Sequence, residues 1–295
     1  MSPSPRPASE TAGLGRLDAL LPPQMARRGE EIGVQKASLD MLSTLTLAIL
    51  AGAFIALGGV FATTALAGSG QAPWGQARVL AGVVFSLGLI LVTVGGAELF
   101  TGNNLIVMAW ASGRITPGAL VRNWALVFAG NFVGAVATAC LVFVAGTHHA
   151  GGGAFGVAAL RIAVPKLELG WAQAVALGIL CNTLVCLAVW LTYSSRTTTD
   201  RILAIIFPIS AFVAAGFEHS IANMYFVPLA LFIGALDPAF VIATGVDTHA
   251  LGLGWAGFLW RNLLPVSIGN VIGGSLLVGA VYWSVYLRPR SGPRR

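Results

Sequence analysis

Six long apolar runs decide most of what this chain can become. They lie near 41–68, 79–110, 119–146, 169–193, 201–236 and 256–287. Each is longer than the roughly 20 residues a helix needs to cross about 30 Å of hydrocarbon. Hydrocarbon offers no hydrogen-bond partners, so a spanning backbone must satisfy itself internally. Only 9% of the 295 residues are charged and 56% are hydrophobic, against about 25% charged in a soluble domain. These features predict an all-α, polytopic membrane protein.

The ends and loops are polar. Residues 1–40 are expected to form an N-terminal tail, 41–287 the membrane domain and 288–295 a basic C-terminal tail. No apolar core follows the basic N-terminal region, so no cleavable signal peptide is expected. Leu14, Leu17, Leu20 and Leu21 suggest an amphipathic turn ended by Pro22-Pro23. A second turn over 25–36 mixes Arg27, Arg28, Glu30 and Glu31 with Ile32 and Val34, and reads as a surface helix on the inner leaflet. Thirteen of the seventeen basic residues fall on one side if both termini are cytoplasmic, the exceptions being Arg78, Arg161, Lys166 and Arg261. The net charge of +6 therefore reflects orientation and lipid headgroups and does not suggest nucleic acid. Cys140, Cys181 and Cys186 sit inside apolar runs as small hydrophobes. His148-His149 lies in an outward loop over 146–170. Without a third ligand at useful spacing, that pair reads as a solvated turn and not as a metal site.

The functional signal is Gly216-Phe217-Glu218-His219-Ser220-Ile221-Ala222-Asn223, in the middle of the fifth run. A glutamate and a histidine at membrane depth are costly, so they are expected to face a cavity or pathway, or to close an interhelical hydrogen bond. Gly216 and the small polar run after it allow the helix to break, with the interruption expected at 218–220. The second run is similarly interrupted at Gly102-Asn103-Asn104.

The two halves echo each other. Arg122-Asn123 precedes Gly130-Asn131-Phe132-Val133-Gly134 by the spacing that separates Arg261-Asn262 from Gly269-Asn270-Val271-Ile272-Gly273. Gly96-Ala97-Glu98 with Asn103 matches Gly216-Phe217-Glu218 with Asn223. Three spans per half make the copies inverted, over 41–146 and 169–287, with broken helices 2 and 5 meeting near the midplane. Thr101 and Leu99 lie at one break, and His219 and Ser220 at the other. Phe85 and Leu89 on span 2, Val185 on span 4 and Phe212 on span 5 serve either as core or as apolar closures of a path. Asn182, alone among apolar neighbours, serves either as interhelical glue or as pore lining.

Three motifs carry a resemblance to a known family: Glu98-Leu99-Phe100-Thr101-Gly102-Asn103-Asn104, Gly216 through Asn223 with Met224, and Asn262-Leu263-Leu264-Pro265-Val266-Ser267-Ile268-Gly269-Asn270. Together, over about 25–287, they resemble the formate/nitrite transporter family. The resemblance implies an aquaporin-like bundle of six transmembrane helices and a homopentamer in the inner (cytoplasmic) membrane. Each protomer is expected to hold one pore for small weak-acid anions: formate, nitrite, hydrosulfide, and in some members acetate or lactate. It implies that His219 is the central pore histidine, Thr101 its substrate-facing partner and Asn182 the polar pore residue beside them. Phe85 and Phe212 then form the outer constriction, and Leu89, Leu99 and Val185 the inner one. Lys166 becomes the anion-attracting vestibule lysine, while Glu218 and Asn223 orient the histidine loop. Formate is favoured, from the stretches 87–89 and 109–116.

An unshielded anion entering an apolar ring faces a desolvation barrier of several kcal/mol. The substrate is therefore expected to cross neutral, its proton coming from His219 or from water. Histidine suits this site because its ordinary pKa, about 6.5, lies near working pH. A neutral-solute pore would share the architecture but give Lys166 no task. The sequence offers no metal-ligand cluster, nucleotide loop or nucleophile–base pair, so neither an enzyme nor a cofactor is expected.

Overall fold

The computed structural model describes residues 19–289; Leu14, Leu17 and the final basic residues lie outside them. The described residues form helices and turns, with no strand among them. Six helices are long and apolar enough to cross a membrane. In chain order the elements are α1 (Pro22–Ser38), α2 (Met41–Leu66), α3 (Trp74–Gly95), α4 (the helical run 100–111), α5 (Pro117–Val144), α6 (Ala154–Glu168), α7 (Trp171–Ser194), α8 (Thr198–Ala215), α9 (Ser220–Leu236), α10 (Pro238–Thr244) and α11 (His249–Tyr286). α2 packs along α3 and α5, α7 along α8 and α11, and α3 along α8.

Both breaks come slightly earlier in the chain than the sequence suggested. α3 ends at Gly96 (φ +78°) and α8 at Gly216 (φ +77°), left-handed conformations that glycine adopts without strain. The second break is therefore at 96–99, not at Gly102-Asn103-Asn104, which is helical. Asn103 and Asn104 look like breakers in sequence, but here their side chains are used in bonds to Glu98 and Asn123, and to the Phe100 carbonyl. The fifth run breaks at 216–219, and Ser220 opens α9.

The Gly-Asn-x-x-Gly motifs are close helix crossings. A Cβ at Gly134 would collide with the Ile49 carbonyl, and one at Gly273 with the Ile179 carbonyl. Small residues of this kind let membrane helices approach backbone to backbone. The asparagines do separate work. Asn131 Oδ1 accepts the Phe100 amide at 2.9 Å, and Asn270 Oδ1 accepts the Ser220 amide at 2.9 Å. Each thus satisfies the first free N–H of a half-helix that begins inside the bundle.

The N-terminal segment differs in part from expectation. Pro22 opens α1, because the first helical turn has no use for the missing N–H, while the turn expected over Leu14 and Leu17 lies outside the described residues. α1 also does not simply lie on lipid. It buries Met25, Ala26, Gly29, Gly33 and Ala37, with Gly33 against Ile106 and Ala109 and Gly29 against Tyr193. The His148-His149 turn is only partly solvated: the His148 ring is buried, stacked on Phe143 and edge-on to Phe240.

Candidate functional site

The two breaks meet through their side chains. His219, the residue before α9, accepts the Ala222 amide on Nδ1 at 3.0 Å. Its Nε2 lies 3.0 Å from Thr101 Oγ1 on α4. A ring nitrogen that accepts an N–H carries no proton, so the neutral ring must carry its hydrogen on Nε2 and donate it to Thr101. The ring stacks on Phe212 at 5.7 Å, and Phe212 meets Phe85 edge-on at 5.7 Å.

Two cavities approach this point from opposite ends. The larger, about 1590 Å³, has Phe85, Phe212, Phe226 and His219 in its lining. Its walls carry Arg78, Arg161 and Lys166 against one carboxylate, Glu218. The smaller, about 260 Å³, reaches Leu89, Leu99 and Gly102. It carries Arg28, Lys36 and Arg201 against one carboxylate, Glu98. Both cavities therefore hold an excess of positive charge, which concentrates anions. No residue lines both: His219 lines the larger, and its partner Thr101 immediately precedes Gly102, which lines the smaller.

A duplicated polar network holds each break. Lys166 Nζ donates to Glu218 Oε1 at 2.6 Å, and Lys36 Nζ to Glu98 Oε1 at 2.7 Å. Asn223 Nδ2 donates to Glu218 Oε2 and to Asn262 Oδ1, each at 2.7 Å. Asn103 Nδ2 donates to Glu98 Oε2 at 2.7 Å and to Asn123 Oδ1 at 3.0 Å. Asn262 then returns to the Lys166 carbonyl, and Asn123 to the Lys36 carbonyl. The echo thus takes in α1 and α6, outside the apolar runs 41–146 and 169–287.

Most of the residues singled out from sequence converge here. The His219 side chain pairs with Thr101, Glu218 joins Lys166 to Asn223, Phe85 and Phe212 line the large cavity, and Leu89 and Leu99 the small one. Val185 is buried and lines neither cavity. Asn182 is likewise buried away from both, its amide nitrogen donating to the Thr101 carbonyl, Asn104 Oδ1 and the Asn270 carbonyl. These bonds tie α7 to the half-helix α4 and to α11. Lys36 and Arg78 were not foreseen. Arg78 caps the broken end of α8, donating to the Val213 carbonyl at 2.6 Å and the Ala214 carbonyl at 3.3 Å.

Residues 23–284 match the profile described as Formate/nitrite transporter. The chain belongs to that family. This formate/nitrite transporter is 47% identical over 273 residues to the formate channel FocA of Escherichia coli K12, covering 92% of this chain and 96% of that one. It is 40% identical over 274 residues to FocA of Haemophilus influenzae, with the same coverage. Among solved structures it resembles a pentameric formate channel with formate bound: TM-score 0.78, 42% identity, 84% of this chain and 98% of the other. An FNT family ion channel aligns with TM-score 0.74 at 27% identity, over 88% of this chain and 98% of the other. The transporter is accordingly a multi-pass membrane protein of a channel family, not an enzyme.

Proposed function

We propose that this protein conducts formate passively, through one pore per protomer of a homopentamer. It is placed in the cytoplasmic membrane with both termini inside, so the Lys166-side cavity faces outward. The observation that carries this reading is His219, held between two cation-rimmed cavities by apolar walls. Relatives at 47% and 40% identity named as formate channels support formate as the substrate. The pentameric relative with formate bound supports both the substrate and the assembly.

The steps follow from the geometry. Excess positive charge draws the anion into the outward cavity. Near Phe85 and Phe212 the dielectric falls, the charged form is disfavoured, and the acid's pKa rises. A proton from water then neutralises it, leaving hydroxide behind in the cavity. His219 does not supply that proton. Losing Nε2–H from the neutral ring would leave an imidazolate, and protonating Nδ1 would expel the Ala222 amide. The ring instead donates to Thr101, which frees the threonine hydroxyl to donate to the passing acid. Beyond Leu89 and Leu99 the acid re-ionises in the inner cavity. Every step is reversible, so the anion and proton gradients set the direction.

Positive charge in both cavities favours an anion path over a pore for neutral solutes. Uptake by proteoliposomes decides the matter: formate should enter faster as external pH falls, and glycerol should not enter above the lipid background. Glycerol uptake equal to formate uptake, with no pH dependence, would overturn the reading. Nitrite, hydrosulfide, acetate and lactate measured alongside rank the remaining anions.

A further inference from the structure

The outward-facing rim holds three ligand-type groups that conduction does not use. They come from two distant parts of the chain: His148 and His149 in the turn after α5, and Asp237 at the corner between α9 and α10. His148 Nε2 lies 3.2 Å from Asp237 Oδ2, and His149 Nε2 lies 3.3 Å from the same oxygen. The ligand atoms of all three residues fall within 4.8 Å of one another. A tetrahedral zinc ion with bonds of roughly 2.0–2.1 Å sets its ligands about 3.3 Å apart. Both separations are close to that tetrahedral edge, and the same contacts serve as a hydrogen bond and ion pairs when no metal is bound.

The surroundings preorganise two of the three groups. Phe143 stacks on the His148 ring at 5.0 Å and Phe240 meets it edge-on at 5.4 Å, fixing its plane. Asp237 Oδ1 accepts the Phe240 amide at 3.1 Å, which orients the carboxylate and leaves Oδ2 for the histidines. Gly156 makes the arrangement possible, since a Cβ there would strike Phe240. His149 is the exposed member, its side chain 60% accessible, and it also lines the large cavity. An ion could therefore enter from solvent and complete its shell with water. Imidazole and carboxylate together suit a borderline divalent ion.

We propose that His148, His149 and Asp237 form a three-ligand site for a zinc-type divalent cation at the rim of the large cavity, clasping the turn after α5 to the α9–α10 corner. The site is independent of which anion the channel conducts. It is tested on the untagged full chain in detergent, by titrating ZnCl2 against a chromophoric chelator. Wild type should take up one zinc per chain at micromolar concentration or below. His149→Ala should weaken binding at least tenfold; the residue is exposed, so its loss leaves the fold intact. Asp237→Asn should do the same, and His249→Ala, which removes an exposed histidine outside the cluster, should change nothing. Zinc should also raise the thermal midpoint of wild type and not that of His149→Ala. No uptake below millimolar zinc, or equal uptake by wild type and both cluster variants, overturns the proposal.

Discussion

Nδ1 of His219 accepts the amide of Ala222 at 3.0 Å, and this bond decides where the ring proton sits. The histidine is thus both the cap of a half-helix and a hydrogen-bond donor to Thr101, two roles that substitutions can separate. Asparagine caps helices well but has no group that reaches where Nε2 does; alanine does neither.

His219→Asn is expected to hold its thermal midpoint near that of wild type while formate flux falls at least tenfold. His219→Ala should lose a further 0.5–2 kcal/mol or so of stability, the usual range for a lost N-cap. Melting in detergent and uptake in liposomes give the two readouts. Wild-type flux in both variants would remove the ring from the path.

Thr101 is fully buried, and the structure gives its hydroxyl one side-chain partner, His219. Thr101→Val keeps the shape and strands the Nε2–H, a penalty of about 1–3 kcal/mol for an unmet buried donor. Flux should drop roughly tenfold or more, and Thr101→Ser should restore most of it. Combined with His219→Asn, Thr101→Val should add little, because the two side chains act as one unit. Full additivity in that double variant would show that they act separately.

The lysine–glutamate pairs differ in burial, and their variants should differ accordingly. Lys166 and Glu218 side chains are 14% and 6% exposed, while Lys36 is 27% exposed. Removing the cation from a buried pair strands a carboxylate, at roughly 3–5 kcal/mol. Lys166→Met should therefore lower the thermal midpoint more than Lys36→Met. Adding Glu218→Gln to Lys166→Met should recover much of the loss, since no charge is then left alone. A double variant melting below Lys166→Met would contradict this.

What the sequence disclosed follows from contrast. His219, Glu218, Asn223 and Thr101 stood out because a polar side chain in a long apolar run has few reasons to be there. Their inverted partners on the other half were half visible: Glu98 and Asn103 appeared in the echo, but Lys36 did not. It sits on a short charged helix whose pattern is that of any surface helix, and only the folded chain brings it to Glu98. Asn182 was ambiguous because glue and lining call for the same residue; in the fold its amide nitrogen lies within hydrogen-bond reach of oxygens on α4 and α11. Asp237 lies 89 residues from His148, so no spacing rule could have joined them.

The apolar residues lining the small cavity should set the size of what passes. Leu89 and Leu99, each 2% exposed, line the small cavity. Truncating a packed leucine costs about 2–5 kcal/mol when the gap stays empty. At a pore constriction the gap opens onto a water-accessible cavity instead, so the cost should fall toward the low end. Leu89→Ala and Leu99→Ala are thus expected to melt only slightly below wild type, and to raise lactate uptake relative to formate several-fold in proteoliposomes. If these leucines are merely core, the midpoint will fall by the full amount and the lactate-to-formate ratio will stay at its wild-type value.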